Sequence, residues 1–232
     1  MGKRIIQQAR GHGSLSYRVR KQAYKFRIKY PRDLEGEGTV IKLINSTCHT
    51  CPIAKIKYSK GTFYMPAFKG MYEGQKIQFG GEVKTGNILQ IKNIPVKTQI
   101  YNIESRPFDG GVFVRTGGTS ATVSRIIGGE TFILMPSKKE KQFNRNCRAT
   151  VGIVAGAGRL EKPFVKAGNR FFLKKSKNKL WPRTSAVKMN VIDHPFGSGR
   201  GKNFKSKIAK RNVPPGAKVG LLSPRRTGRK KR

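Results

Sequence analysis

A chain of 232 residues with 50 Lys and Arg against 11 Asp and Glu carries a formal charge of +39, and only 36% of it is hydrophobic. Charge on this scale strains a compact state by self-repulsion and calls for a polyanionic partner, and nucleic acid fits because each neutralised phosphate releases counterions. A membrane partner is not expected: no apolar run approaches the ~20 residues of a spanning helix, and neither a basic amphipathic helix nor a lipid anchor is present to favour an anionic membrane surface.

The N-terminal stretch is an arm rather than a domain. Residues 1–29 hold 9 basic residues and no acid. Met1–Gln7 lacks the apolar core of a signal peptide. Arg18, Arg20, Lys21, Lys25, Arg27 and Lys29 alternate with Tyr17, Tyr24 and Phe26. Cations at this spacing can meet phosphates while the rings stack on exposed bases.

The middle, residues 30–173, holds 22 basic and 10 acidic residues and reads as β. Short apolar runs between Gly, Pro and Asn predict strands at Thr39–Ile44, Ile53–Tyr58, Thr62–Met65, Lys76–Phe79, Val112–Arg115, Ala121–Ile127, Thr131–Met135, Lys141–Phe143 and Ala149–Val154. Gly128-Gly129 is a hairpin signal, because glycine accepts the positive φ of a tight turn. Strands this short and close predict small barrels rather than βαβ units. Gly86-Asn87 through Pro95 reads as the connection between two of them, with a boundary near residue 98. No long amphipathic helix and no repeat is visible.

Four motifs invite chemistry. Cys48-His49-Thr50-Cys51 is a lone C-x-x-C, whereas a structural zinc site needs four ligands; Cys147, His12 and His194 are far away in sequence, so no metal is expected. Three cysteines suit a reducing compartment, the cytosol, or the nucleus in transit. Gly80–Thr85 has Val83 where a phosphate-binding loop needs glycine, and Gly156-Ala157-Gly158 has Glu161 where the dinucleotide fingerprint needs its third glycine. Glycines beside cations, as in Gly158-Arg159, Gly168-Asn169-Arg170 and Gly199-Arg200-Gly201-Lys202, suit either ordinary turns or close backbone approach to phosphate. Asp193-His194 has the chemistry of an acid–base pair, but no nucleophile or metal accompanies it, and a histidine bonded to RNA or to its own loop is the expected role.

The C-terminal stretch, residues 174–232, holds 19 basic residues and the single acid Asp193. It is too poor in apolar residues to offset its own ordering entropy. Its closing Arg225-Arg226-Thr227-Gly228-Arg229-Lys230-Lys231-Arg232 suits both phosphate contact and nuclear import.

Several stretches, taken in order, carry a family resemblance. They are Asn102-Ile103-Glu104 with Asp109-Gly110-Gly111, Arg148–Gly152, Lys162–Asn169, Trp181-Pro182, Asn190-Val191-Ile192-Asp193-His194-Pro195-Phe196-Gly197-Ser198-Gly199 and Arg211–Gly220. Together they closely resemble universal large-subunit ribosomal protein two, nearly end to end. Phe196 and Ser198 depart from the bacterial His-Pro-His-Gly-Gly form and resemble the archaeal and eukaryotic branch, so the family's histidine role can pass only to His194. The resemblance implies a mainly β chain. It would comprise an N-terminal arm over 1–36, an OB-like barrel over 37–97, an SH3-like barrel over 98–175 and a C-terminal RNA-threading extension over 176–232.

It further implies a structural constituent of the large ribosomal subunit, not an enzyme. Its partners would be large-subunit rRNA and other ribosomal proteins, with the small subunit at the intersubunit face and tRNA nearby; no homo-oligomer is expected. The implied roles are subunit association, tRNA positioning and assembly of the peptidyl transferase region. No cofactor is expected beyond RNA-associated Mg ions. The implied location is the cytoplasm, within the ribosome, with nucleolar transit in a eukaryote. The residues expected to contact RNA are Arg4, Arg10, Arg18, Arg20, Arg27, Arg148, Arg159, Lys166, Arg170, Arg183, His194, Arg200, Lys202, Arg211, Arg225, Arg226 and Arg229. The alternative is a free-standing basic nucleic-acid chaperone, which would bind DNA and RNA indifferently.

Overall fold

The structure, a computed structural model, describes residues 5–19, 21–194 and 196–198. The described residues divide into two units, one over 21–177 and one over 5–19 with 178–194 and 196–198.

The larger unit is a ten-stranded antiparallel-rich sheet. Its strands are β1 (Gly36–Ile44), β2 (Ile53–Tyr58), β3 (Gly61–Pro66), β4 (Lys76–Phe79), β5 (Ile88–Gln90), β6 (Gln99–Tyr101), β7 (Ala121–Ile127), β8 (Glu130–Leu134), β9 (Glu140–Phe143) and β10 (Arg148–Val151). Their order is β3-β2-β1-β4-β5-β10-β6-β7-β8-β9. The mainly β class is as the sequence predicts, and the arrangement is consistent with two small barrels.

Two hydrophobic clusters fill it. One gathers Tyr30, Val40, Ile56, Phe63, Met65, Phe68, Ile77, Ile88, Tyr101 and Val154. The other gathers Leu89, Ile91, Ile94, Ile100, Ile103, Val123, Ile133, Phe143, Ala149 and Val151. The central strands serve both. Ile88 faces the first cluster and Leu89 the second, while Ile100 faces the second and Tyr101 the first. Successive side chains of a strand point to opposite faces, so a strand between two cores buries side chains on both of them.

Seven predicted strands are found close to their expected ends, the largest difference being the earlier start of β1 at Gly36. Ala149–Val154 is shorter, ending at Val151, where Gly152 turns the chain with φ 120°. Val112–Arg115 is not a strand. Gly110 and Gly111 at φ 91° and Val114 at φ 53° break the extended run, leaving one bridge between Ile103 and Phe113. The segment 86–95 is more than a connection, for it contains β5 and a 3-10 turn at Ile91–Asn93. A helix the sequence does not announce, α2 (Ala167–Ser176), follows β10; it buries no residue, so it lacks the apolar stripe that would reveal it.

Part of the stretch 1–36, expected to be an N-terminal arm, lies against the sheet. Ala23, Ile28 and Tyr30 are buried. Lys29 N–H donates to Tyr64 O (3.2 Å) and Tyr30 N–H to Gly110 O (3.0 Å). In the smaller unit, α1 (Ile6–Gly11) and a 3-10 turn at Leu15–Tyr17 precede the link. There Asn178 Nδ2 donates to Tyr17 O (2.9 Å).

Candidate nucleic-acid interface

The acids do little to neutralise the surface. Among the described residues the ion pairs are Lys60–Asp33, Lys76–Glu37, Lys84–Glu82, Arg125–Glu140 and Arg148–Glu104, and all but the last lie on the surface. Most Lys and Arg of the described residues take no part in these five pairs.

The predicted contact residues divide into three groups. Arg10, Arg18, Arg27, Arg159, Lys166, Arg170 and Arg183 are exposed, and His194 is half-buried. Two of these arginines are aimed by the backbone: Arg18 Nε donates to Gly13 O (2.8 Å) and Arg159 Nε to Gly117 O (3.1 Å). Each fixes the stem of a guanidinium whose fork can meet a phosphate bidentately. Arg4, Arg20, Arg200, Lys202, Arg211, Arg225, Arg226 and Arg229 lie outside the described residues.

Arg148 requires correction. Only 8% of it is exposed, and its guanidinium is committed inside the protein. Nε and Nη2 donate to Glu104 Oε1 (3.1 and 2.8 Å), while Nη1 donates to Pro31 O (2.7 Å) and Arg32 O (3.2 Å). Glu104, fully buried, also accepts from Gly110 N–H and Arg148 N–H. This arginine neutralises a buried carboxylate; it does not present itself to RNA.

His194 sits in a turn where its own N–H donates to Asn190 O (3.2 Å) and Gly197 N–H donates to its carbonyl (2.9 Å). Phe196 N–H donates to His194 Nδ1 (3.1 Å), and the two rings lie 4.9 Å apart. An accepting Nδ1 puts the proton of the neutral ring on Nε2. The Asp193-His194 pair is therefore not built as an acid–base dyad through Nδ1, and Nε2–H is a hydrogen-bond donor.

Sequence reasoning missed a cleft of ≈ 820 Å³ formed by 24–29, 48–50 and 109–116. Arg27, Lys29 and Arg115 bring charge to it, and Tyr24, Phe26 and His49 bring rings. Three separated segments meet there, so no local motif marks it. Ser46, itself buried, holds His49 Nδ1 at 2.7 Å. Burial, and then the neighbouring Arg115 charge, push the His49 pKa below its ordinary value, favouring a neutral ring.

No cluster of three or more His, Cys, Asp or Glu suited to a metal occurs among the described residues. Cys51 is buried, its Sγ–H donating to Arg115 O (3.5 Å), and burial pushes its thiol up to about 11. Cys48 is half-buried. At neutral pH a thiol with so high a pKa holds almost no thiolate, the nucleophilic form. Iodoacetamide is therefore expected to label Cys48 in the folded protein, and Cys51 only on unfolding. Peptide mass spectrometry checks this; equal labelling of both would contradict the burial.

The two-cored β fold with its surplus of surface cations defines a class, the small-barrel proteins whose surfaces suit a polyanion. The model of the C-terminal domain of ribosomal proteins L2 matches residues 84–216. Large ribosomal subunit protein uL2 of Hyperthermus butylicus is 44% identical over 239 residues, covering 100% of both chains. Its counterpart in Archaeoglobus fulgidus is 43% identical over 234 residues, covering 98% of this chain and 99% of that protein. The chain belongs to the L2 family of ribosomal proteins, in its archaeal type. Both relatives are archaeal, and the import reading of residues 225–232 gains no support from them.

Proposed function

We propose that the chain is a structural constituent of the large ribosomal subunit that holds rRNA chiefly through phosphate and ribose. The observation that carries this reading is the full-length likeness to uL2 proteins. The charge of +39 and the small number of ion pairs among the described residues support it. A-form RNA hides its base edges in a deep groove, so backbone contacts outnumber base readout. Arg10, Arg18, Arg27, Arg159, Lys166, Arg170 and Arg183 supply such contacts, together with the cations of the two arms.

The finer roles belong to the same proposal. The chain supports subunit association, tRNA positioning and assembly of the peptidyl transferase region, with other ribosomal proteins, the small subunit and tRNA as neighbours in the cytoplasm. The loop 190–201 contributes through His194, whose Nε2–H donates to RNA. The catalytic chemistry belongs to RNA. The two hydrophobic clusters support an OB-like barrel followed by an SH3-like one, although residues 89–94 already pack into the second cluster.

A sucrose gradient run after a high-salt wash tests the reading. The chain is expected to stay with the large subunit in a one-to-one ratio. Its complete release by the wash would overturn the proposal in favour of a free-standing nucleic-acid chaperone.

A further inference from the structure

We propose that the cleft lined by Tyr24, Phe26, Arg27, Lys29, His49 and Arg115 receives a single unpaired nucleotide of the bound RNA, with its base against the rings and its phosphate on the cations. This rests on the rRNA-binding reading and gives it a specific receptor within the larger unit.

The size is right. At ≈ 820 Å³ the cleft lies within the roughly 300–1,000 Å³ of sites that enclose small ligands. The walls have the chemistry of a base and a phosphate together. Tyr24 is 55% exposed, and its ring meets His49 edge-on at 5.6 Å. Phe26 rests on Tyr64 at 5.1 Å, with Lys25 Nζ 5.9 Å above its ring. Rings of this kind stack on any base, whatever its identity.

The site is also set before the ligand arrives. The Ser46 contact orients His49, and the Lys29 and Tyr30 backbone bonds moor the strap that bears Arg27. Little side-chain or loop ordering then remains to oppose binding. One carboxylate lines the cleft, that of Asp109, and it is engaged by backbone N–H groups: Oδ2 accepts from Ser105 (2.8 Å) and Arg106 (3.1 Å), and Oδ1 from Gly111 (3.1 Å). The rim thus stays favourable to an anion.

An unpaired nucleotide is required because a base inside an A-form duplex shows no face to a side chain, whereas a bulged one can be splayed out and stacked. An acidic peptide would satisfy the cations but leave the rings without a flat partner.

The test uses the full chain and two RNAs, a short perfect duplex and the same duplex with one bulged 2-aminopurine. The bulged RNA is expected to bind about tenfold more tightly, because stacking on aromatic side chains discriminates by that order. The 2-aminopurine fluorescence is expected to be quenched on binding. Tyr24→Ala and His49→Ala are expected to bring the ratio of the two affinities close to one and to abolish the quenching. Tyr72→Ala, a ring 63% exposed and outside the cleft, is expected to keep both. Binding of both RNAs with equal affinity and no quenching overturns the receptor while leaving general rRNA binding intact. Failure of both RNAs to bind overturns both readings. Displacement of the bulge by polyglutamate as readily as by oligouridylate shows an undiscriminating anion site and also overturns the receptor.

Discussion

Arg148→Ala is expected to lower the stability of the larger unit by about 3–5 kcal/mol, the usual cost of stranding a buried charge. The substitution leaves Glu104, fully buried, without its counter-ion. It also removes the donors to Pro31 O and Arg32 O, so the strap that carries residues 30–32 loses two of its ties to β10 and keeps the one between the Tyr30 and Thr150 hydroxyls. The guanidinium further lies 5.2 Å from the Phe108 ring and 5.6 Å from that of Tyr30, neighbours that alanine cannot reach. Urea denaturation followed by circular dichroism measures the effect as a fall in midpoint. Glu104→Gln in the same chain as Arg148→Met removes both charges, and such double replacements cost far less than single ones. The double variant is therefore expected to recover much of the midpoint. Equal midpoints for the single and double variants would show that the ion pair is not what matters.

The second large effect concerns RNA affinity. Ending the chain at residue 198 removes thirteen Lys and Arg and no acid. For every phosphate that is no longer neutralised, the log–log dependence of affinity on salt flattens by about 0.7–0.9. If six of the thirteen engage phosphates, the slope is expected to flatten by about 4–5, and affinity to fall by orders of magnitude. Titrations with a large-subunit rRNA fragment at several salt concentrations provide the slope. An unchanged slope would mean that the C-terminal arm neutralises no phosphate, and that reading of its charge would fall.

Much of the architecture is written locally. β2, β4 and β7 are bounded as predicted because each alternates or clusters apolar residues between turn formers, and Gly128-Gly129 makes the β7–β8 turn with φ 56° and 87°. The three-residue strands β5 and β6 escaped because both their faces are buried, which erases alternation, and because they lie too close to turns to form a run. α2 escaped for the opposite reason, since an exposed helix has no face to bury.

The site divides similarly. Composition announces a polyanion partner, but it cannot tell an arginine that faces RNA from one that neutralises a carboxylate. Arg148 and Arg159 look alike in sequence. Glu104, 44 positions before Arg148, decides between them, and only the register of β10 reveals it. Arg115 and His49 were silent for the same reason, being brought together by loops far apart in the chain.

The position of β10 has a consequence for biosynthesis. This strand, the last among the described residues, lies between β5 and β6, which share no ladder with each other. During translation the two halves of the sheet must wait for residues 148–151 before they can be joined. The closing step pairs segments some 50 to 60 positions apart, and pairings so distant form slowly. Until those residues emerge, the half-sheet β1–β5 and the later strands β6–β9 have no strand between them. The basic tail emerges only after that place can be filled, so the polypeptide can close before its most adhesive segment reaches any RNA.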